Sequence, residues 1–288
     1  MAESPLTILD EPALDNPRLV LSFAGWMDGG DISTGTAEIL TEQGAMQPLA
    51  QIAPDSFYIY NFPASMEIAA LFRPHGKIEQ GVVCAFQPPE NHFHYDAKHR
   101  LILLQGQEPH LHWKAYVDCV FEVVRRFGVK EIYFVGSVGG IVPHTREPRL
   151  FSTVSDETVK PALEERGLRF TDYEGPVSLV SYLMTRAPDH DCHMATVVAE
   201  IPAYVQGRNP KSLAPVIGTL AGILDIPLDV EPVRGEIAEW EKRLTEVVED
   251  RSDLVKHIRK LETDYDNEVF EQMGDLKAWL ESQGIRLD

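Results

Sequence analysis

The sequence has little basic charge, few cysteines and no long apolar run. Lys and Arg number 26 against 45 Asp and Glu, for a net charge of −19. Nucleic acids and anionic membranes require a basic face, so both are excluded as expected partners. Cys84, Cys119 and Cys192 are too few and too widely spaced for a disulfide framework or a zinc site. No apolar run reaches the roughly 18 residues that span a bilayer.

The amino terminus and the cysteine usage predict the compartment. Residues 1–5 (MAESP) lack the positive segment and the apolar segment of a signal peptide. An odd, sparse set of cysteines is typical of reduced thiols. We therefore expect a cytoplasmic protein. Its 288 residues are 44% hydrophobic, which is enough to bury a full core.

Apolar runs alternate with helical patterns along most of the chain. Leu19–Ala24 and Glu131–Val135 are nearly all apolar, as in strands buried on both faces, and both are expected inside one sheet. Trp113–Phe127 carries apolar residues three and four positions apart, which predicts a helix ended by Gly128. Further strands are predicted at 57–60, 81–86, 100–104 and 194–199, and further helices at 32–43, 155–166, after Pro176 and from Asn209 to Leu224. This order predicts an α/β layer architecture with a largely parallel or mixed sheet.

The sequence pattern changes near residue 234 from alternating strands and helices to helical repeats alone. We therefore divide the chain into an α/β core (1–233) and a carboxy-terminal helical pair (234–288). Apolar residues recur from Trp240 to Tyr265 and again from Val269 to Leu280, with a predicted break at Asp264–Asn267. The two apolar stripes fit helices that lie on the core and fit an oligomer contact equally well. We expect a homo-oligomer whose contact includes at least one of these helices.

Three segments follow predicted strands, where ligands usually bind in open α/β sheets. They are Gly25–Asp31, Gly136–Gly140 with the following Pro143–Arg146, and Glu200–Tyr204. Glycine N–H groups with an arginine suit an anion. However, the spacing matches neither a phosphate-binding loop nor a dinucleotide fingerprint, and tight-turn glycines are the commoner explanation. The candidate ligand-binding residues are Trp26, Asp28, Gly136, Ser137, Gly139, His144, Arg146, Glu200 and Tyr204.

Other chemical constellations carry less weight. Ser137 lacks the glycine two positions before it that a nucleophile elbow needs, so no catalytic residue is predicted. His92 and His94 share a face only in an extended segment, and solvated loop histidines explain this cluster without a metal. Asp28 and Asp31 fit a helix cap better than a base. We therefore predict no metal and no cofactor.

Four motifs, in order, resemble those of one known family. Gly25-Trp-Met-Asp-Gly-Gly-Asp31 is similar to its opening signature, and Pro143-His-Thr-Arg146 to its second. Tyr173-Glu-Gly-Pro176 and Ile201-Pro-Ala-Tyr-Val205, the latter followed by Asn209-Pro210, match two more. Leu261–Asp266 resembles the tail helices of its actinobacterial-type members. The family is the proteasome-assembly-chaperone-2 type.

The resemblance implies a three-layer mixed sheet similar to the phosphorylase/hydrolase-like fold, homo-oligomers, and binding to proteasome α-subunits during assembly. Chaperones of this family commonly end in a hydrophobic residue, a tyrosine and one more residue, whereas this sequence ends Ile285-Arg286-Leu287-Asp288. The function we expect is a protein-binding scaffold or assembly chaperone without catalysis. The alternative is a nucleoside phosphorylase-like or hydrolase-like enzyme, or a small-anion binder. In that alternative, Gly136–Gly140 and Arg146 would hold a phosphate, Glu200 would hydrogen-bond ribose hydroxyls, and Asp28 would be the candidate base.

Overall fold

A computed structural model describes residues 4–282, with side chains for all of these except Ser252 and 269–282. The strands are β1 (Leu6–Ile8), β2 (Arg18–Ala24), β3 (Gln47–Ile52), β4 (His75–Glu79), β5 (Val82–Gln87), β6 (Asn91–Asp96), β7 (Leu101–Gln107), β8 (Glu131–Gly140), β9 (Leu150–Phe151) and β10 (His193–Pro202). The helices are α1 (Ile32–Gln43), α2 (Met66–Ala70), α3 (Trp113–Phe127), α4 (Lys160–Glu164), α5 (Leu179–Arg186), α6 (Pro210–Leu224), α7 (Glu231–Glu249) and α8 (Ser252–Ser282).

Eight strands form one mixed sheet in the order β1-β3-β6-β7-β2-β8-β10-β9. The four central strands, β7, β2, β8 and β10, run parallel, and antiparallel strands complete both edges. The strands predicted from Leu19–Ala24 and Glu131–Val135 are therefore both interior, as expected. Parallel neighbours require crossovers, and here these place helices on both faces of the sheet.

The core consists of two apolar layers, one on each face of the sheet. Leu19, Leu21 and Phe23 of β2 pack with α3 and α5, whereas Val20 packs with α1 and α6. Successive strand residues point to opposite faces, so an apolar run buries both sides of its strand. The predicted three-layer α/β fold with carboxy-terminal helices is confirmed.

Several predicted elements are present with small changes. Helix α3 has the predicted bounds, and Gly128 ends it in the left-handed conformation. The side chain of Asn209 caps α6 by accepting a hydrogen bond from the Ser212 N–H (3.1 Å). The helix predicted at 155–166 is shorter, a 3₁₀ turn followed by α4.

One predicted strand is absent, and a second is a strand but is not buried. Phe57 and Tyr58 are buried, but residues 57–60 are the end of a turn and irregular chain rather than a strand. The apolar run 81–86 forms β5, which pairs only with β4, outside the main sheet. Its side chains are mostly exposed because no other layer covers this hairpin.

The two carboxy-terminal helices meet at a different place from the predicted one. Helix α7 ends at Glu249 and α8 continues through 264–267, so the break predicted there is wrong. Val248 and Ile258 are buried within the chain, which accounts for part of the first apolar stripe. The side chains of the second stripe (269–280) and the final four residues lie outside what the structure describes. Across the described residues, no helix is long and apolar enough to cross a membrane.

Candidate functional site

A cavity of about 700 Å³ opens at the carboxyl ends of the central strands. Strands β2 and β8 pair from Arg18↔Glu131 to Leu21↔Phe134 and then separate. The cavity lies beside this separation, between the ends of β8 and β10, the short strand β9 and helix α5. Four predicted site residues line it, namely Trp26, Ser137, Gly139 and Glu200. The other candidates do not.

The Gly136–Gly140 segment is a strand, not the expected loop. It is the carboxyl half of β8, and β10 pairs with β8 along its whole length, from His193↔Glu131 to Pro202↔Gly140. Gly136 lies opposite Val198 in this ladder. The even-numbered residues of this segment direct their backbone N–H and C=O groups toward β10. The Gly140 carbonyl, for example, accepts a hydrogen bond from the Ala203 N–H (3.3 Å). Paired strand groups do not form the phosphate cradle that the sequence suggested.

Glu200 is held in a buried ion pair at the edge of the cavity. One carboxylate oxygen accepts from the Ile141 N–H (3.0 Å), and the other from Nη1 of Arg149 (3.1 Å). Arg149 is itself buried, with Nη2 2.6 Å from Glu268 of α8 and its guanidinium 4.3 Å from the ring centre of Tyr265. Because a cation and an N–H group already engage the carboxylate, the expected contact with ribose hydroxyls would compete with them.

Arg146 is neutralised by α8. Its Nε and Nη2 donate to the two carboxylate oxygens of Asp266, both at 2.8 Å, and Nη1 lies 3.7 Å from Glu262. The bidentate bond to Asp266 raises the pKa of the guanidinium and lowers the pKa of the carboxyl. The cation predicted for a phosphate therefore serves to attach a helix of the same chain.

His144 and Tyr204 belong to the same attachment. The Tyr204 oxygen lies 2.8 Å from both the backbone nitrogen and Nδ1 of His144. Burial lowers the pKa of His144 and raises that of Tyr204. The buried Lys211 ammonium donates to the His144 carbonyl (3.2 Å) and pairs with Glu241 of α7. These contacts tie the loop 143–149 to both carboxy-terminal helices.

Asp28 makes the predicted local hydrogen bonds. Its carboxylate accepts from the N–H groups of Ser33 (2.8 Å) and Thr34 (2.9 Å) and from the Thr34 hydroxyl (2.9 Å). Burial raises its pKa, and these bonds offset part of the rise. Asp31 makes no side-chain cap bond. The bonds of Asp28 hold its carboxylate at the start of α1, and Asp28 does not line the cavity.

The local structure explains why residue 30 is a glycine. Gly30 has a φ of 69°, and a Cβ atom there would lie 2.8 Å from Cβ of Asn209. The Gly30 carbonyl also accepts from the Asn209 N–H (2.8 Å), which joins the first motif to the start of α6. The position therefore requires glycine both for its left-handed backbone and for this close approach.

Sequence patterns missed two charged residues that organise this region, Arg149 and Lys211. Both are buried, whereas such side chains are nearly always exposed unless paired. Their partners are 51 and 30 residues away in sequence, so no local spacing identifies them. Among the described residues, no group of three or more His, Cys, Asp or Glu is arranged to hold a metal.

A second candidate region is apolar and exposed, unlike the buried ion pairs described above. We define the 62–86 surface by the exposed side chains of Phe62, Met66, Ile68, Leu71, Ile78, Val82, Val83 and Phe86. Met66 is 85% exposed and Val83 67%. No residue from 61 to 90 is buried, and the β4–β5 hairpin pairs with no strand of the main sheet. Eight large apolar side chains left exposed within one segment of 25 residues are typical of an interaction site.

The chain is thus a three-layer α/β protein whose carboxy-terminal helices pair with the charged loop 143–149 at the strand ends. The model of the PAC2 family matches residues 22–248, and the chain belongs to this family. No curated protein matches the sequence.

Solved structures share the fold at low identity. A Mycobacterium tuberculosis protein of unknown function is 20% identical, with 94% of this chain and 92% of that chain covered and a TM-score of 0.81. A M. tuberculosis proteasome-assembly chaperone homologue is 22% identical, with 84% and 99% covered and a TM-score of 0.72. An archaeal proteasome activator, Pyrococcus furiosus PbaB, is 17% identical, with 84% and 97% covered and a TM-score of 0.63.

Proposed function

We propose that this protein is a protein-binding scaffold of the assembly-chaperone kind, with proteasome subunits as its partner. Membership of the PAC2 family and the likeness to a chaperone homologue and a proteasome activator support this role. The observation that carries it is the exposed 62–86 surface. The cavity, by contrast, does not bring together Asp28, Arg146 and Glu200, which the enzyme alternative needs around one ligand.

Burial of the 62–86 surface requires another molecule. An isolated two-stranded hairpin is marginally stable in water. Each large apolar side chain removed from water contributes roughly 1.5–3 kcal/mol. The surface carries two acidic side chains, Glu67 and Glu79, and two basic ones, Arg73 and Lys77. A balanced surface on a protein of net charge −19 is suited to short-range apolar contact, since long-range repulsion is screened beyond roughly 8–10 Å.

The test is binding of the purified protein to proteasome α-subunits, followed by size-exclusion chromatography with light scattering. We expect a complex with the wild-type chain. Combining Val83→Glu with Phe86→Glu places two charges on the 62–86 surface and should weaken the complex at least about tenfold, or 1.4 kcal/mol. Leu9→Glu is the matched control, because Leu9 is an exposed apolar residue elsewhere. Failure of the wild-type chain to bind, or equal binding by the double variant, would contradict the proposal.

Self-association is a separate part of the proposal. A homo-oligomer whose contact includes α7 or α8 agrees with the exposure of Val247 on α7. Light scattering on Val247→Glu, at a concentration where the wild-type chain is oligomeric, should show a smaller mass. An unchanged mass would remove this position from the contact.

A further inference from the structure

One edge of β8 has no strand partner near its carboxyl end. Pairing with β2 stops at Phe134, and the next contact on that side is the Ser137 N–H donating to the Met27 carbonyl (2.8 Å). Successive residues of a strand direct their main-chain groups to opposite sides, so Gly139 directs its N–H and C=O to the same side as Ser137. In the described part of the chain, no strand pairs with β8 there.

Gly139 is exposed, and its lack of a side chain keeps this edge accessible. The nearest atom to a Cβ built at Gly139 is Cβ of Ala203, at 3.7 Å. Glycine inside a strand often marks a place where another backbone approaches closely. Unpaired strand edges are sites for pairing with a further extended chain.

The adjoining cavity is apolar and hydroxyl-rich. Met27, Met184 and Val198 supply apolar surface, and Thr153 and Ser181 supply hydroxyls. Among the described residues, its only charged lining group is Glu200, which Arg149 neutralises. Cavities of this size and character bind apolar groups and position them with a few polar contacts. The lining offers no cation to a phosphate.

The rim is aromatic and acidic. Trp26 and Tyr173 are each 70% exposed at the edge of the cavity. The exposed Asp172 and Glu174 flank Tyr173. Exposed aromatic side chains are typical anchors for a bound partner, and the two carboxylates complement basic groups.

We propose that the free edge of β8 and the adjoining cavity bind an extended segment of a partner protein. Its main chain pairs with Gly139, an apolar side chain enters the cavity, and basic residues on either side face the acidic rim. This inference rests on the proposed protein-binding function and names the chemistry of the partner segment that it engages.

The experiment uses the full-length protein and the blocked peptide acetyl-Lys-Val-Phe-Val-Lys-amide, with titration followed by calorimetry and tryptophan fluorescence. We expect saturable binding. A peptide that is N-methylated at Phe cannot donate at that position and should bind at least about tenfold more weakly. Replacing both Lys by Asp should also weaken binding. Ser181→Phe fills the cavity and should lower affinity at least about tenfold. Thr185→Phe, at an exposed position one turn further along the same helix and outside the cavity lining, should leave the affinity within about twofold.

Three outcomes would overturn the inference: no saturable binding up to about 1 mM peptide, equal affinity for N-acetyl-phenylalanine amide, or equal affinity in Ser181→Phe and wild type. The second would assign the cavity to a small neutral ligand. If Ser181→Phe fails to fold, Trp26→Ala takes its place. This variant removes an exposed rim residue and should weaken peptide binding as measured by calorimetry. Peptide failure with α-subunit binding retained rejects this inference alone, whereas loss of α-subunit binding with the peptide retained rejects the proposed function.

Discussion

The loop 143–149 and the 62–86 surface differ in whether their energetically costly side chains have partners in the same chain. In the loop, Arg146 and Arg149 would be costly alone, and acidic side chains of α8 neutralise both. On the 62–86 surface, large apolar side chains are exposed, and no side chain that the structure describes covers them. In the charged motif, which resembles a ligand site, the arginines are paired with carboxylates of the same chain, whereas the apolar surface, which carries no recognisable motif, is the one that we propose binds a partner.

The largest expected effect is at Arg149. Arg149→Met keeps much of the apolar volume but leaves the buried Glu200 without its cation, and breaking a buried ion pair costs about 3–5 kcal/mol. Urea denaturation should show a loss of this size in the free energy of unfolding. The double variant Arg149→Met with Glu200→Gln should recover part of it, because no uncompensated buried charge remains. A loss below about 1 kcal/mol in the single variant would break the comparison.

A smaller effect is expected at Asp28, whose polar contacts also lie within the chain. Asp28→Ala removes the acceptor for two N–H groups at the start of α1 and should cost about 1 kcal/mol. Asp31→Asn is the control. Asp31 makes no cap bond and has a φ of 54°, a conformation that asparagine tolerates. Equal losses of unfolding free energy in the two variants would show that the cap bonds of Asp28 contribute nothing measurable.

The smallest effect on stability is expected on the 62–86 surface. Val83→Glu and Phe86→Glu should each change the free energy of unfolding by less than about 0.5 kcal/mol, since neither side chain packs against the core. Thermal unfolding of dilute protein measures this change without a partner. A destabilisation of 2 kcal/mol or more, on the order of a lost core contact, would mean that this surface supports the fold.

The layers of the fold were predictable because they rest on local patterns. The apolar run at Leu19–Ala24 and the stripe of Trp113–Phe127 each carry their own periodicity, and burial followed it. The same logic failed for residues 81–86, where an apolar run is exposed. Burial depends on whether another layer covers the strand, and the sequence of the strand does not contain that information.

The contacts of the predicted site residues were not predictable where their partners are distant in sequence. Glycines at 136–140 suggested a loop, yet β10 pairs with the whole segment and keeps it extended. Arg146 suggested an anion site, yet its carboxylate partner lies on α8. The motifs therefore located these residues along the chain, whereas only the tertiary structure shows what each one contacts. Trp26, Ser137, Gly139 and Glu200 did prove to line one cavity.

The attachment of α8 has a consequence for synthesis on the ribosome. Asp266 lies 120 residues after Arg146, which corresponds to roughly 6–24 s of translation at about 5–20 residues per second. By the time Asp266 is made, the ribosome has already added every strand of the main sheet and the helices that cover it. Glu200, a partner of Arg149, is already made by then, whereas Arg146 lacks both of its carboxylate partners until α8 is made. A chain interrupted before α8 therefore contains every strand of the main sheet but leaves Arg146 without its carboxylate partners.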